Sequence, residues 1–203
     1  MQITKLDAAR RQLLSAIHLQ WFMLEPIAAY QLAGNAGEIC DKLLKRSGKI
    51  RIIEQVERVH GLSPEEAKRL VNSARNFTKH ADRDPDGVMD DIRYEDADAV
   101  ILTACIDYCI ISRRSHYIIG MFIAWYAAIN PNKTGDFYYE MAEILFPNLA
   151  SATRAEQVLA ARSALAEPMS PNVMHDFRNE LTDDWRWSSL RKVGQPLRLP
   201  EST

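Results

Sequence analysis

The sequence predicts an all-α protein, an antiparallel helical bundle of about six to eight helices with an extended C-terminal arm. Three observations carry that prediction. Apolar residues recur at steps of three, four or seven along much of the chain. Caps and stops divide those stretches into helical lengths. No run alternates apolar and polar residues far enough to make a useful strand. At 203 residues and 23.1 kDa the chain is long enough to bury a substantial core. We expect one bundle domain over 1–166 and an arm over 167–203 that is partly extended and docked.

The elements follow in order. Thr4-x-x-Asp7 has the form of a capping box, and behind it Leu6, Leu13, Ile17, Trp21 and Leu24 make one apolar stripe. Pro26 suits a first helical position, and a helix runs from it past Ala28, Leu32, Ile39 and Leu43 to Gly48. A shorter helix carries Ile50, Ile53, Val56 and Val59 and stops at Gly61. Ser63-Pro64-Glu65-Glu66 opens the next, with a cap oxygen, a proline and two acids at the positive end of the helix dipole. That helix reaches about His80, where Asp, Pro and Gly end it. Helices are then expected over 96–112 and 116–129, with Asn130-Pro131-Asn132 as a turn. Two more are expected over 135–145 and 152–166, the second capped by Ser151. Prolines at 168, 171, 196 and 200 break the arm, which only Trp185, Trp187 and Leu190 can anchor.

Composition excludes some functions. The formal charge of −2 argues against wholesale nucleic-acid binding, although not against a local basic patch. Lys and Arg outnumber Asp and Glu by 13 to 8 up to His80; from Ala81 to Asp98 eight acids face two arginines. Cys40, Cys105 and Cys109 are too few and too odd for a disulfide framework, which favours a reducing cytoplasm. The N-terminal residues carry no leader pattern. The apolar region from Ala99 to Ile129 is interrupted by Asp107, Arg113, Arg114 and His116, so each half is shorter than the ~20 residues of a membrane span. We therefore expect a cytoplasmic protein that makes no membrane contact and carries no cofactor.

The helix ending at His80 concentrates the chemistry. At ~100° per residue, Ala67, Leu70, Ala74, Phe77 and Ala81 share one face, the expected core contact. Arg69, Asn72, Arg75, Asn76 and Lys79 lie opposite, with His80 at the edge and no acid among them. Such a face suits phosphate, since guanidinium forks, an ammonium and amide donors all complement its oxygens. Arg75 and His80 stand ~140° apart on a straight helix, so they meet on one substrate only if the helix ends before His80 or a two-fold mate supplies one of them.

Arg75-Asn76-Phe77-Thr78-Lys79-His80 resembles the R-N-x-x-x-H signature of the HEPN superfamily, small helical bundles that commonly dimerise. Many of its members are metal-independent ribonucleases of toxin–antitoxin and phage-defence systems; others bind or modify nucleotides, or have lost activity. The segments running from Thr4 to Leu13 and from Asn76 to Pro85 also resemble an uncharacterised bacterial protein family. The HEPN resemblance implies a homodimer and a catalytic set of Arg75, Asn76 and His80. His80 would serve as base or acid at a ribose 2′-hydroxyl, Arg75 would stabilise phosphate charge and Asn76 would orient it. Arg69, Asn72 and Lys79 would bind phosphate. Arg11 and His18 meet the looser arginine–histidine spacing too, without the asparagine.

Other candidates are plainer. Asp82, Asp84, Asp86 and Gly87 match the first half of a calcium loop, but Arg93 stands where the closing carboxylate belongs. Those aspartates are weak metal candidates in what is otherwise an Asp-rich turn between helices. Cys105, Cys109 and His116 fall short of a zinc set and read as packing. Trp185-Arg186-Trp187 suits base stacking or the docking of the arm. His18, Trp21 and Trp125 suit a ligand pocket or the core. Three functional readings stand: a protein that binds RNA or nucleotide phosphate, with RNA cleavage as a further step; a non-catalytic all-α dimeric module engaging a protein partner; and a small-ligand or metal sensor built on the acidic turn.

Overall fold

A computed structural model describes residues 2–54, 74–79, 82, 85–134, 142–166 and 179–180. It is all-α, with one two-residue parallel strand pair among the described residues. The chain divides into two compact units, Met1–Arg113 and Arg114–Thr203. The division falls at Arg113, inside the span expected to be one bundle. Arg113 ends a helix in the left-handed region, at φ 58°, and closes its last turn on the Cys109 carbonyl.

The first unit is built on three long helices, α1 (Lys5–His18), α2 (Pro26–Arg46) and α3 (Tyr94–Ser112). The capping box at the start of α1 is formed: the Asp7 amide donates to Thr4 Oγ1, and Thr4 N donates to the Asp7 carboxylate at 3.0 Å. Leu13, Ile17 and Trp21 are buried as the stripe predicts, but Leu24 is exposed. The reason is local. Leu19–Met23 widens into a π-turn, which throws the helical period out of phase, and Leu24 then turns left-handed at φ 54°.

α2 packs against both neighbours through small side chains. Ala29, Ala33, Gly34, Ala36, Gly37, Cys40 and Leu44 are buried, while Ala28, Leu32, Ile39 and Leu43 are only half-buried. A Cβ on Gly37 would lie 3.6 Å from that of Ala104 on α3, so the helices approach closely there. α2 and α3 run in the same direction. Pro26 and Ile27 share a cleft with Ile92 to Glu95, Gly37 meets Ala104, and Arg51, just beyond α2, pairs with Asp107. A long connection between them returns the chain, and its described helical parts are 52–54 and 74–79.

Two polar clusters pin α3. Buried Gln20 donates to the Tyr94 carbonyl at 2.9 Å and to Asp98 at 2.6 Å. Buried Asp107 accepts from the Ile52 amide at 2.9 Å and from Arg51 at 3.1 Å. Burial raises the Asp107 carboxyl above the usual carboxylate range, against the pull of those two donors.

In the second unit His116 caps α4 (Tyr117–Ile129), its Nδ1 accepting from the Ile118 amide at 3.2 Å. Ser115–His116 pairs in parallel with Asn179–Glu180. Pro131 opens a further helical turn through Thr134 where a plain turn was expected. α4 is buried nearly all round and packs against α5 (Arg154–Ala166) and the preceding 3₁₀ turn, Leu149–Ser151. Trp125 Nε1 donates to the Gln157 carbonyl at 2.7 Å, and the Arg154 guanidinium lies 5.0 Å from the Trp125 ring centre.

Ser151 does not cap α5. Its hydroxyl donates to the Asn148 carbonyl within the 3₁₀ turn, and Thr153 caps the helix instead, exchanging hydrogen bonds with Glu156. The expected helix over 50–59 is described only at 52–54, and that over 135–145 only at 142–145. The helix start at Ser63, the motif Trp185-Arg186-Trp187 and most of the arm lie outside the described residues.

Candidate functional site

The 74–79 helix docks on α2. Gln31 Nε2 donates to the carbonyls of Ala74 and Arg75 at 3.3 and 3.5 Å. The Arg75 stem lies over Gly34, where a Cβ would come within 3.2 Å of Arg75 Cδ. Its guanidinium donates through Nε to Asn35 Oδ1 at 3.2 Å and forms an ion pair with Glu38. One turn on, Lys79 Nζ donates to the same Asn35 oxygen at 3.0 Å. Two cations from one helix therefore converge on one amide of another.

This arrangement corrects two expectations. Phe77 was placed in the core, yet it is 43% exposed. The helix faces α2 through Ala74, Arg75 and Lys79, which puts Phe77 on the other side. The face around Arg75 has no acid of its own, but α2 supplies one in Glu38. Hydrogen bonding to Arg75, then the charges of Arg75, Lys79 and Lys42, hold the Glu38 carboxyl below the usual carboxylate range. The Arg75 side chain is only 14% exposed, whereas that of Glu38 is 51% exposed.

Asn76 is exposed on the solvent side of the helix. His80, Arg69, Asn72 and Asp84 lie outside the described residues. Asp82 and Asp86 are exposed on the turn. Among the described residues no three His, Cys, Asp or Glu side chains stand together in a way that would hold a metal ion.

Cys40 joins Cys105 and Cys109, a grouping that sequence spacing does not reveal. All three interact electrostatically between α2 and α3. Burial pushes the Cys40 thiol up to about 12, aided by the Asp107 charge, and Cys105 is raised well above the usual thiol value. These are protonated packing groups at neutral pH. His18 stacks on Phe22 with ring centres 5.4 Å apart in the first unit, and Trp125 belongs to the second.

A second feature of the first unit is the corner after the π-turn. Met23 is 63% exposed, and Leu24 and Ile27 are exposed beside it. Leu24 to Ile27 and Asp91 to Glu95 line an open cleft of about 480 Å³. Arg93, on its rim, is bound by both carboxylate oxygens of Asp96 at 2.8 and 2.9 Å.

No protein-family model matches the sequence, and neither the curated proteins nor the solved structures provide a match. No helix among the described residues is long and apolar enough to cross a membrane.

Proposed function

We propose that this is a HEPN-like helical protein that binds the phosphate of RNA or of a nucleotide along the seam between α2 and the 74–79 helix. The supporting observation is the convergence of Arg75 and Lys79 on Asn35, with Lys42 close enough to act on the same carboxylate. A guanidinium fork and an ammonium group on one amide complement a phosphodiester better than any neutral ligand. Asn76 and the exposed ring of Phe77 lie on the same short helix, available for a ribose or a base.

Metal-independent cleavage of RNA is the further step of this reading. It assigns His80 to proton transfer at the 2′-hydroxyl and requires a second copy of the chain to bring His80 to Arg75. Incubating single-stranded RNA with wild type and His80→Ala tests it. Cleavage by wild type alone supports the catalytic step; no cleavage, or equal cleavage by both, removes it and leaves binding to be judged separately.

The exposed corner of Met23, Leu24 and Ile27 favours a second reading, a non-catalytic dimeric module that engages a protein partner. If the corner joins two copies, Met23→Glu will convert the dimer to a monomer in sedimentation. An unchanged mass would exclude the corner from that role.

A further inference from the structure

The Arg75–Glu38 pair has an asymmetry that bears on how the seam is used. Arg75 is held from three sides: its stem rests on Gly34, its Nε is bound to Asn35, and its backbone carbonyl accepts from Gln31. Glu38 is half-exposed, and all its favourable interactions come from cations, namely Arg75, Lys79 and Lys42. In the pair, then, the cation is fixed and the anion is free to swing into solvent. Removing that carboxylate would leave Arg75 and Lys79 on the Asn35 amide without their counter-charge.

We propose that the Glu38 carboxylate is a built-in occupant of an anion site formed by Arg75 and Lys79 around Asn35, and that phosphate binds there by displacing it. This rests on the phosphate-binding reading of the seam and adds a gate to it. Phosphate has the charge and the paired oxygens to replace a carboxylate on a guanidinium fork. Because Glu38 is tethered beside the site, it competes at high effective concentration. Apparent affinity is lowered by the fraction of time the carboxylate is seated. Weak ligands are thereby refused, and a ligand offering several phosphates can pull the site open.

The test titrates the full chain with inorganic phosphate, a nucleoside monophosphate and a single-stranded oligoribonucleotide, comparing wild type with Glu38→Gln. The glutamine keeps the size and removes the charge. We expect Glu38→Gln to bind inorganic phosphate about tenfold more tightly, with the Arg75 Nε–H resonance shifting on saturation. Phosphate binding no tighter than that of wild type overturns the gate, whatever wild type does with RNA. Tight phosphate binding by Glu38→Gln with no oligoribonucleotide binding by either protein keeps the gate and removes the RNA reading. A gain for the monophosphate alone assigns the site to nucleotides, and an equal gain for the oligoribonucleotide assigns it to backbone phosphate. Should Glu38→Gln fail to fold, exposed Lys79→Ala replaces it: severalfold weaker phosphate binding upholds the site, and unchanged binding overturns it.

Discussion

Gly34 decides how the 74–79 helix meets α2. With no side chain there, Arg75 can lie flat across the helix and send its guanidinium to Asn35 and Glu38. Gly34→Leu should displace Arg75 and cost about 1–3 kcal/mol through overpacking. Urea denaturation would measure that loss, and amide exchange at 74–79 should speed up with it; an unchanged midpoint would mean that the contact carries no weight. Asp107 makes a second residue-scale claim. Its carboxyl titrates above the usual range, chiefly through burial, so the folded state takes up a proton more readily than the unfolded chain does. Its stabilising share is complete below the ordinary aspartate range and is lost as pH rises through the raised value. Glu38 behaves oppositely, stabilising above the ordinary range and losing that share as pH falls. Relative to Asp107→Asn, wild type should therefore gain thermal stability as pH is lowered from about 7 toward 4. A difference between the two melting curves that does not change with pH would refute the assignment. Neither residue was legible in the sequence. Gly34 looks like any helical glycine until Arg75 is laid over it, and Asp107 looked like an interruption of an apolar run.

Elements were legible where their signals are local. The Thr4–Asp7 box, the proline at the start of α2 and the extent of α3 and α4 all follow from neighbours a few residues apart. Misplacements arose where a nearby competitor won or the period broke. Thr153 rather than Ser151 caps α5, because only Thr153 has a glutamate three residues on to complete the box. Leu24 left the core because a π-turn precedes it, and no composition rule marks that widening. Phe77 left the core because polar contacts with α2 set the rotation of its helix, overriding apolar periodicity. In the second unit, packing of α4 on α5 turns on Trp125. Trp125→Phe keeps an aromatic ring but loses the hydrogen bond to the Gln157 carbonyl and weakens the stack under Arg154. That change should destabilise the unit by about 0.5–1.5 kcal/mol, read as a lower denaturation midpoint by circular dichroism. A midpoint equal to wild type would assign the packing to apolar area alone.

For the molecule as a whole, the small net charge conceals its distribution. The first unit gathers Arg75 and Lys79 on one amide beside the Glu38 carboxylate, while the acidic stretch that follows His80 leaves the total near neutral. All-α architecture was readable from periodicity, whereas the division at Arg113 was not. Arg113 and Arg114 interrupt the apolar region there, but such an interruption marks a break between two helices, not a boundary between units. The seam was half legible: its cations could be read along one helix, but Asn35 and Glu38 come from α2, tens of residues away in sequence. The central claim, that this seam binds backbone phosphate, is tested most directly by the salt dependence of oligoribonucleotide affinity. Wild type and Lys79→Ala would be compared across a range of salt concentrations. Loss of one phosphate contact should weaken binding and reduce the slope of log affinity against log salt by about 0.7. Equal affinities and equal slopes for the two proteins would contradict the claim.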